Sequence, residues 1–313
     1  MSPKLKIIFM GTPEFAVPCL ELLHQKKYSI PLVVTQPDRP KGRGRKLTPP
    51  PVKIAASRLG CEIIQPESIK DDTFADQLAQ FRPDVVVVIA YGRILSRQLL
   101  ALPRLGAINV HASLLPMYRG PAPIQWAVIN AEKETGITTM FISEGLDEGD
   151  ILLCSKTPLT RRETSASLHD RLAGMGADLL IDTLSALEKG NIEPIPQDHA
   201  AATYAPLIKK KDGRIDWNLP AHRLDAFIRG MTPWPGAFTF HAHNRLKIFN
   251  ALPATTDTRQ SPGTVLQSFP DELLIATAKG TLSIREIQSA SGKRLPTKDF
   301  LRGYALPPGT RLE

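Results

Sequence analysis

Asn109 and His111 stand two residues apart at the end of a short apolar run, Gly106-Ala107-Ile108-Asn109-Val110-His111. On a β-strand, side chains two apart leave the same face, so an amide and an imidazole project side by side. That pair suits acyl transfer, with a donor for a developing oxyanion beside a group that moves or electrostatically assists a proton. A lone histidine at a strand end is more often structural, but the neighbouring amide and a carboxylate, Asp147, change the balance. Asp147 lies in the acidic turn Glu144-Gly145-Leu146-Asp147-Glu148-Gly149-Asp150, whose glycines permit a tight bend. A carboxylate beside an imidazole stabilises its charged form and fixes its orientation.

Rival chemistries find little support. The acids of the turn are adjacent to one another and share a single histidine, without paired ligand spacing, so no metal is expected. No G-x-S-x-G elbow surrounds Ser113, which makes it a poor nucleophile. Gly11-Thr12-Pro13-Glu14-Phe15 occupies the place of a dinucleotide-binding loop but lacks its glycines. Glu14 would also repel a pyrophosphate, which excludes a nicotinamide cofactor. Pro13 is expected to open the following helix.

The elements around the pair alternate. Leu5–Met10, Ile30–Thr35, Glu62–Gln65, Val85–Ala90 and Ala107–Val110 read as strands, and Phe15–Gln25, Val52–Leu59 and Thr73–Phe81 as amphipathic helices. This rhythm predicts an α/β fold with a Rossmann-like, doubly wound, mostly parallel sheet, which binds ligands beyond its carboxyl ends. Ile137–Ile142 and Ile151–Ser155 add two strands, and Ser165–Lys189 a closing helix. The catalytic domain is expected over residues 1–189 and a proline-rich linker over 190–206. Beyond them, one helix (Ala221–Arg229) and five short strands predict a small, OB-like β-barrel over 207–313. The strands are Ala237–His241, Leu246–Asn250, Gly263–Ser268, Leu273–Thr277 and Thr281–Ile287.

Charge points to the partner. From Leu207 onward there are 16 Lys/Arg against 9 Asp/Glu, a net of +7, while the rest of the chain holds 23 against 22. A basic C-terminal third on a neutral body suits a polyanion, although a merely soluble surface has the same sign. The stretch Arg39–Lys53, RPKGRGRKLTPPPVK, has six basic residues and no acid. It reads as a long loop suited to a phosphate backbone rather than a plain solvated one. Three scattered cysteines, Cys19, Cys61 and Cys154, favour reduced buried thiols and a cytoplasmic setting. Neither an apolar run of membrane length nor a secretory leader is read in the chain.

Asn109-Val110-His111 followed by Ser113-Leu114-Leu115-Pro116, with GLDEGD about thirty residues on, resembles the formyltransferases that use 10-formyltetrahydrofolate. The likeness runs through FMGTPEFA, TQPDRPKGRGRKL, VVVIAYGRIL, RGPAPIQWA, RIDW and TPWPGAF. Within that group the basic segment and the basic C-terminal third resemble the members whose acceptor is initiator methionyl-tRNA. The resemblance implies that Asn109, His111 and Asp147 are catalytic, with no metal. It implies a folate site of Ser113, Leu114, Leu115 and Pro116 with Val88, Ala90, Tyr91, Gly92 and Ile94. It also implies tRNA contacts through Arg39, Lys41, Arg43, Arg45, Lys46, Lys209, Lys210 and Lys211, and a monomer. Ala112 departs from the group, which usually has glycine there; a methyl is tolerable if φ is negative. Formyl transfer to a small amine, formylfolate hydrolysis, and nucleic-acid binding on an inactive body are the rival readings. The first needs no C-terminal third, and the last gives no reason to keep all three catalytic residues.

Overall fold

The computed structural model describes residues 4–41, 44, 46–69, 72–254, 256, 258–268, 270 and 272–313. It divides into two compact units that are not contiguous in sequence. One comprises Met1–Gly120, Thr135–Thr157 and His169–Tyr204, and the other Pro121–Glu134, Pro158–Leu168 and Ala205–Glu313.

The first unit is built on strands β1 (Lys6–Gly11), β2 (Ser29–Val34), β5 (Ile63–Ile64), β6 (Val85–Ile89), β7 (Ala107–His111), β8 (Glu134–Phe141) and β9 (Ile151–Pro158). The short pair β3 (Arg39–Lys41) and β4 (Lys46–Thr48) forms a separate two-stranded sheet. The seven strands are ordered β5-β2-β1-β6-β7-β8-β9, parallel from β5 to β7 and antiparallel between β7 and β8. All five residues of β6, Val-Val-Val-Val-Ile, are buried, as a strand covered on both faces must be. The chain leaves β1 toward β2 and returns on its other side to β6, so the switch point lies between β1 and β6.

Helices α1 (Val17–Gln25), α2 (Pro51–Arg58), α3 (Asp72–Ala79), α4 (Arg97–Ala101), α5 (Pro123–Ile129) and α6 (Ser165–Glu188) follow the sequence pattern with three differences. Pro13 does not open α1; it caps a one-turn 3-10 segment, Glu14–Ala16, and Pro18 sits in the first turn of α1. The basic stretch expected as a loop is a hairpin, with Arg39 opposite Thr48 and Lys41 opposite Lys46, because the fixed φ of Pro40 suits extended backbone. Short α4 and α5 were not expected, since one or two turns carry too little periodicity to read.

The second unit centres on α7 (Ala221–Met231) and a six-stranded antiparallel sheet. Its strands are β10 (Ala237–His241), β11 (Asn244–Ala254), β12 (Val265–Gln267), β13 (Leu273–Ala276), β14 (Thr281–Ser289) and β15 (Leu295–Pro296), followed by α8 (Thr297–Leu301). The order is β10-β11-β14-β13-β12, with β15 on β14. Residues 309–313 bond to both edge strands, through Val265 at one end and Phe240 at the other, which covers edges otherwise left open. Gly230 lets α5 and α7 touch, since a Cβ there would lie 2.4 Å from Ile129 Cγ1.

No helix among the described residues is long and apolar enough to cross a membrane. Cys19 is buried, and burial with Asp178 nearby pushes its thiol far up. Cys61 is half-buried and Cys154 exposed, so only the first matches the expectation of buried thiols.

Candidate active site

β7 presents Asn109 and His111 on one face, as its period of two requires, and both reach the same carboxylate. Asn109 Nδ2 donates to Asp147 Oδ1 at 3.3 Å, and His111 Nδ1 lies 3.6 Å from Asp147 Oδ2. His111 and Asp147 are 7% and 15% exposed in their side chains, so the pair is shielded from bulk water. Three sequence-predicted residues, 38 positions apart at most, are thus one constellation.

Backbone groups complete it. Gly120 N–H donates to Asp147 Oδ2 at 2.8 Å, and His111 Nε2 lies 2.9 Å from the carbonyl of Tyr118. A carbonyl only accepts, so Nε2 carries a proton and Nδ1 faces the carboxylate. A second proton on Nδ1 would make the 3.6 Å approach an ion pair with the carboxylate. Asp147 and Tyr118 both have positive φ, 52° and 62°, so the turn and the loop that meet around the imidazole are held in an uncommon conformation.

The remaining expected residues are distributed differently. Ser113 is buried; its hydroxyl donates to Met117 O at 2.6 Å and its carbonyl accepts from Thr138 Oγ1 at 2.7 Å. That is a structural knot, not an activated nucleophile. Leu114 and Leu115 are buried, and the Leu115–Pro116 peptide is cis. Val88, on β6, and Tyr91, just after it, pack in the core, and the Tyr91 carbonyl accepts from Thr12 Oγ1 and Gln36 Nε2. Ala90 and Gly92, both at positive φ, are exposed, and Ile94 is 82% exposed. Ala112 lies outside the positive-φ region and is buried, so its methyl is accommodated without backbone strain.

A cleft of about 670 Å³ opens at the switch point, lined by Thr12–Glu14, Gln36–Pro37, Arg39–Pro40, Thr48–Pro51 and Ala90–Gly92. It takes in neither Asn109, His111 nor Asp147, but it brings the rim of β6 together with the base of the basic hairpin. That base is fastened by Asp38, which accepts from Lys53 Nζ at 2.8 and 2.9 Å and from Gln65 Nε2 at 2.7 Å. Those two hydrogen bonds hold the Asp38 carboxyl below the usual range. Arg39 and Lys46 are exposed on the hairpin, as are Lys209, Lys210 and Lys211 in the second unit. Arg43 and Arg45 lie outside the described residues, as does the side chain of Lys41.

Sequence reasoning missed Arg119, Gly120 and Gln197. Gly120 acts through its backbone, which no residue type announces. Gln197 belongs to the stretch read as a linker, yet residues 195–204 are bonded into the first unit: Ile195 pairs with Ile151, and Arg119 N–H donates to Thr203 O. Irregular backbone has no periodicity to reveal such contacts.

The first unit thus ends its sheet in an amide, an imidazole and a carboxylate, a set suited to acyl transfer. Residues 5–184 match the formyl transferase family and residues 207–305 its C-terminal domain, and the chain belongs to that family. Its relatives include methionyl-tRNA formyltransferases. That of Citrifermentans bemidjiense is 47% identical over 97% of this chain and 95% of its own, and that of Caldanaerobacter subterraneus 46% over 99% and 100%. The fold also matches the N-formyltransferase of Helicobacter canadensis, with a TM-score of 0.67 at 16% identity over 93% of this chain and all of that one. HypX from Aquifex aeolicus matches at a TM-score of 0.66 and 18% identity, over 97% of this chain and 51% of that one.

Proposed function

We propose that the protein transfers the formyl group of 10-formyltetrahydrofolate to the α-amino group of methionine on initiator methionyl-tRNA. Supporting it most directly is identity of 44–48% along nearly the whole length of relatives bearing that activity in their name. The Asn109–His111–Asp147 constellation supplies the chemistry.

The residues fit a folate donor. Ile94, Met117 and Leu146, on the loops that follow β6, β7 and β8, are large apolar side chains left exposed, as a flat heterocycle requires for its faces. Ala90 and Gly92, in the loop that leads to Ile94, are exposed and at positive φ. The folate brings an activated formyl carbon bound to nitrogen; this chain's residues manage charge and protons.

The α-amine attacks the formyl carbon, and negative charge develops on the formyl oxygen. One N–H of Asn109 is spent on Asp147 Oδ1, so its second N–H is the donor aimed at that oxygen. His111, held between the Tyr118 carbonyl and the Asp147 carboxylate, sets the local field and relays a proton. The attacking nitrogen loses one proton and the leaving nitrogen of the folate gains one, so the relay returns to its starting state. Arg39, Lys41, Arg43, Arg45 and Lys46, with Lys209–Lys211, would neutralise tRNA phosphates. The reading sets the enzyme in the cytoplasm, working as a monomer.

The test is a formylation assay with methionyl-tRNA and 10-formyltetrahydrofolate against uncharged tRNA, free methionine and small amines. Formylated methionyl-tRNA is the expected product. Transfer to a small amine alone, or hydrolysis of the donor without transfer, would overturn the reading.

A further inference from the structure

Gln197 is a buried polar residue in an irregular segment, and every hydrogen-bonding position of its amide is used. Oε1 accepts from Arg119 Nε at 3.0 Å and Nη2 at 2.8 Å. Nε2 donates to the carbonyls of Asp147 at 2.9 Å and Gly149 at 2.7 Å. A guanidinium only donates and a backbone carbonyl only accepts, so this arrangement fixes which way the amide faces. Arg119 is held in turn: its backbone N–H donates to Thr203 O at 2.9 Å, and Nη1 lies 3.3 Å from His199 Nδ1.

What the amide joins matters more than its burial. On one side is the Asp147 turn, whose positive φ at residue 147 persists only where surroundings over-determine it. Two of the turn's carbonyls, on either side of residue 148, are pinned by one NH₂ group. On the other side is Arg119, flanked by Tyr118, whose carbonyl meets His111, and by Gly120, whose N–H meets Asp147. Gln197 therefore ties the backbone segment that supports the imidazole to the turn that carries the carboxylate.

We infer that Gln197, locked by Arg119, is a positioning residue for formyl transfer: it holds the Asp147 carboxylate in register with Asn109 and His111. It touches none of the three side chains and acts through the backbone of the turn. The inference deepens the proposed function and rests on it for its kinetic test. Misplacing a catalytic group by about an ångström costs up to about 10²-fold, while substrate binding at other contacts survives.

The experiment compares Gln197→Met, which keeps length and loses the hydrogen bonds to Arg119, Asp147 and Gly149, with Gln197→Glu, which keeps the acceptor for Arg119 and loses both donors. Arg119→Met and Arg119→Lys complete the set. In steady-state formylation, Gln197→Met and Gln197→Glu are expected to lose kcat by roughly 10- to 10²-fold, with KM for methionyl-tRNA and for the folate within about twofold of wild type. Arg119→Lys is expected to recover part of what Arg119→Met loses. A second readout is independent of turnover: ¹⁵N spectra of the histidine rings, assigned by His111→Ala, report whether the His111 proton stays on Nε2. Loss of that single tautomer in folded Gln197→Met or Gln197→Glu is expected.

Unchanged kcat per folded molecule, or a KM rise with kcat intact, would overturn the positioning role. So would a wild-type ring spectrum in the folded variants. If wild type itself fails to formylate methionyl-tRNA, the proposed function falls, and the ring spectra still decide whether Gln197 places the Asp147 turn.

Discussion

Two polar clusters sit at the carboxyl edge of the same parallel sheet, and they are built in opposite ways. Around His111, polar groups are buried or half-buried and answered from inside the protein: Asn109, Gly120 and Tyr118 each have a partner within the constellation. At the hairpin of β3 and β4, the protein fastens only the base, through Asp38, Lys53 and Gln65, and leaves Arg39 and Lys46 exposed. The difference follows from the two tasks. Charge that develops on a small reacting group is stabilised best by dipoles already in place, whereas a phosphate backbone is met by cations free to follow it. Substitutions should therefore act on turnover in the first cluster and on tRNA affinity in the second.

The sharpest break is at the constellation. Asn109→Ala and His111→Ala are each expected to lower kcat by on the order of 10²-fold or more, the usual cost of losing an oxyanion donor or its neighbour. Asp147→Asn keeps the shape and removes the charge facing His111, and should fall in the same range. Single-turnover formylation measures all three, and near-normal turnover in any of them removes that residue from the mechanism.

A smaller effect is expected from the turn itself. A Cβ on Gly149 would lie 1.8 Å from the carbonyl oxygen of Phe141, a backbone atom that cannot swing away. Gly149→Ala must therefore shift the turn, and a loss of about tenfold or more in kcat is expected, with circular dichroism showing the fold retained. An active Gly149→Ala would mean that the carboxylate tolerates displacement, erasing the contrast between the two clusters.

How much of this was legible depended on whether a residue speaks through its type or through its position. Asn109 and His111 were readable because strand period put them on one face, whereas Asp147 was told apart from Glu148 and Asp150 in the same turn only by the family resemblance. The parallel sheet was readable because Val85–Ile89 is apolar on both faces. Arg119 and Gln197 were not, since they lie 78 positions apart in irregular segments and no period brings them together. The hairpin was hidden by proline and glycine, which signal a loop; nothing local showed that Pro40 would face Leu47 across two extended strands. Tyr91 was expected at the folate site through the backbone of its loop, and nothing in its residue type showed that its ring would be buried in the core.

On the hairpin side, replacing Arg39 and Lys46 together by Gln should raise KM for methionyl-tRNA by about tenfold at low salt and leave kcat and folate KM unchanged. The dependence of log KM on log salt should flatten, since fewer counterions are released on binding. Equal losses toward folate would assign these cations to the donor site, and the cleft that reaches Arg39 makes this a real alternative to exclude.

The smallest expected effect is at the hairpin's anchor. Hydrogen bonds from Lys53, then Gln65, hold the Asp38 carboxyl below its usual range, so the folded state favours the ionised form. A carboxylate depressed in this way contributes its anchoring above the unfolded value, about 3.9, and loses it only as pH falls through the lower folded value. At neutral pH the anchor is fully engaged, and Asp38→Asn should remove it. The pair is about a third exposed, 31% and 32%, so the consequence should be modest: about a twofold rise in KM for methionyl-tRNA, with kcat unchanged. If kcat fell instead, the hairpin's base would be coupled to the constellation at β7, and the division between a preset chemical cluster and an adaptable binding cluster would fail at that point.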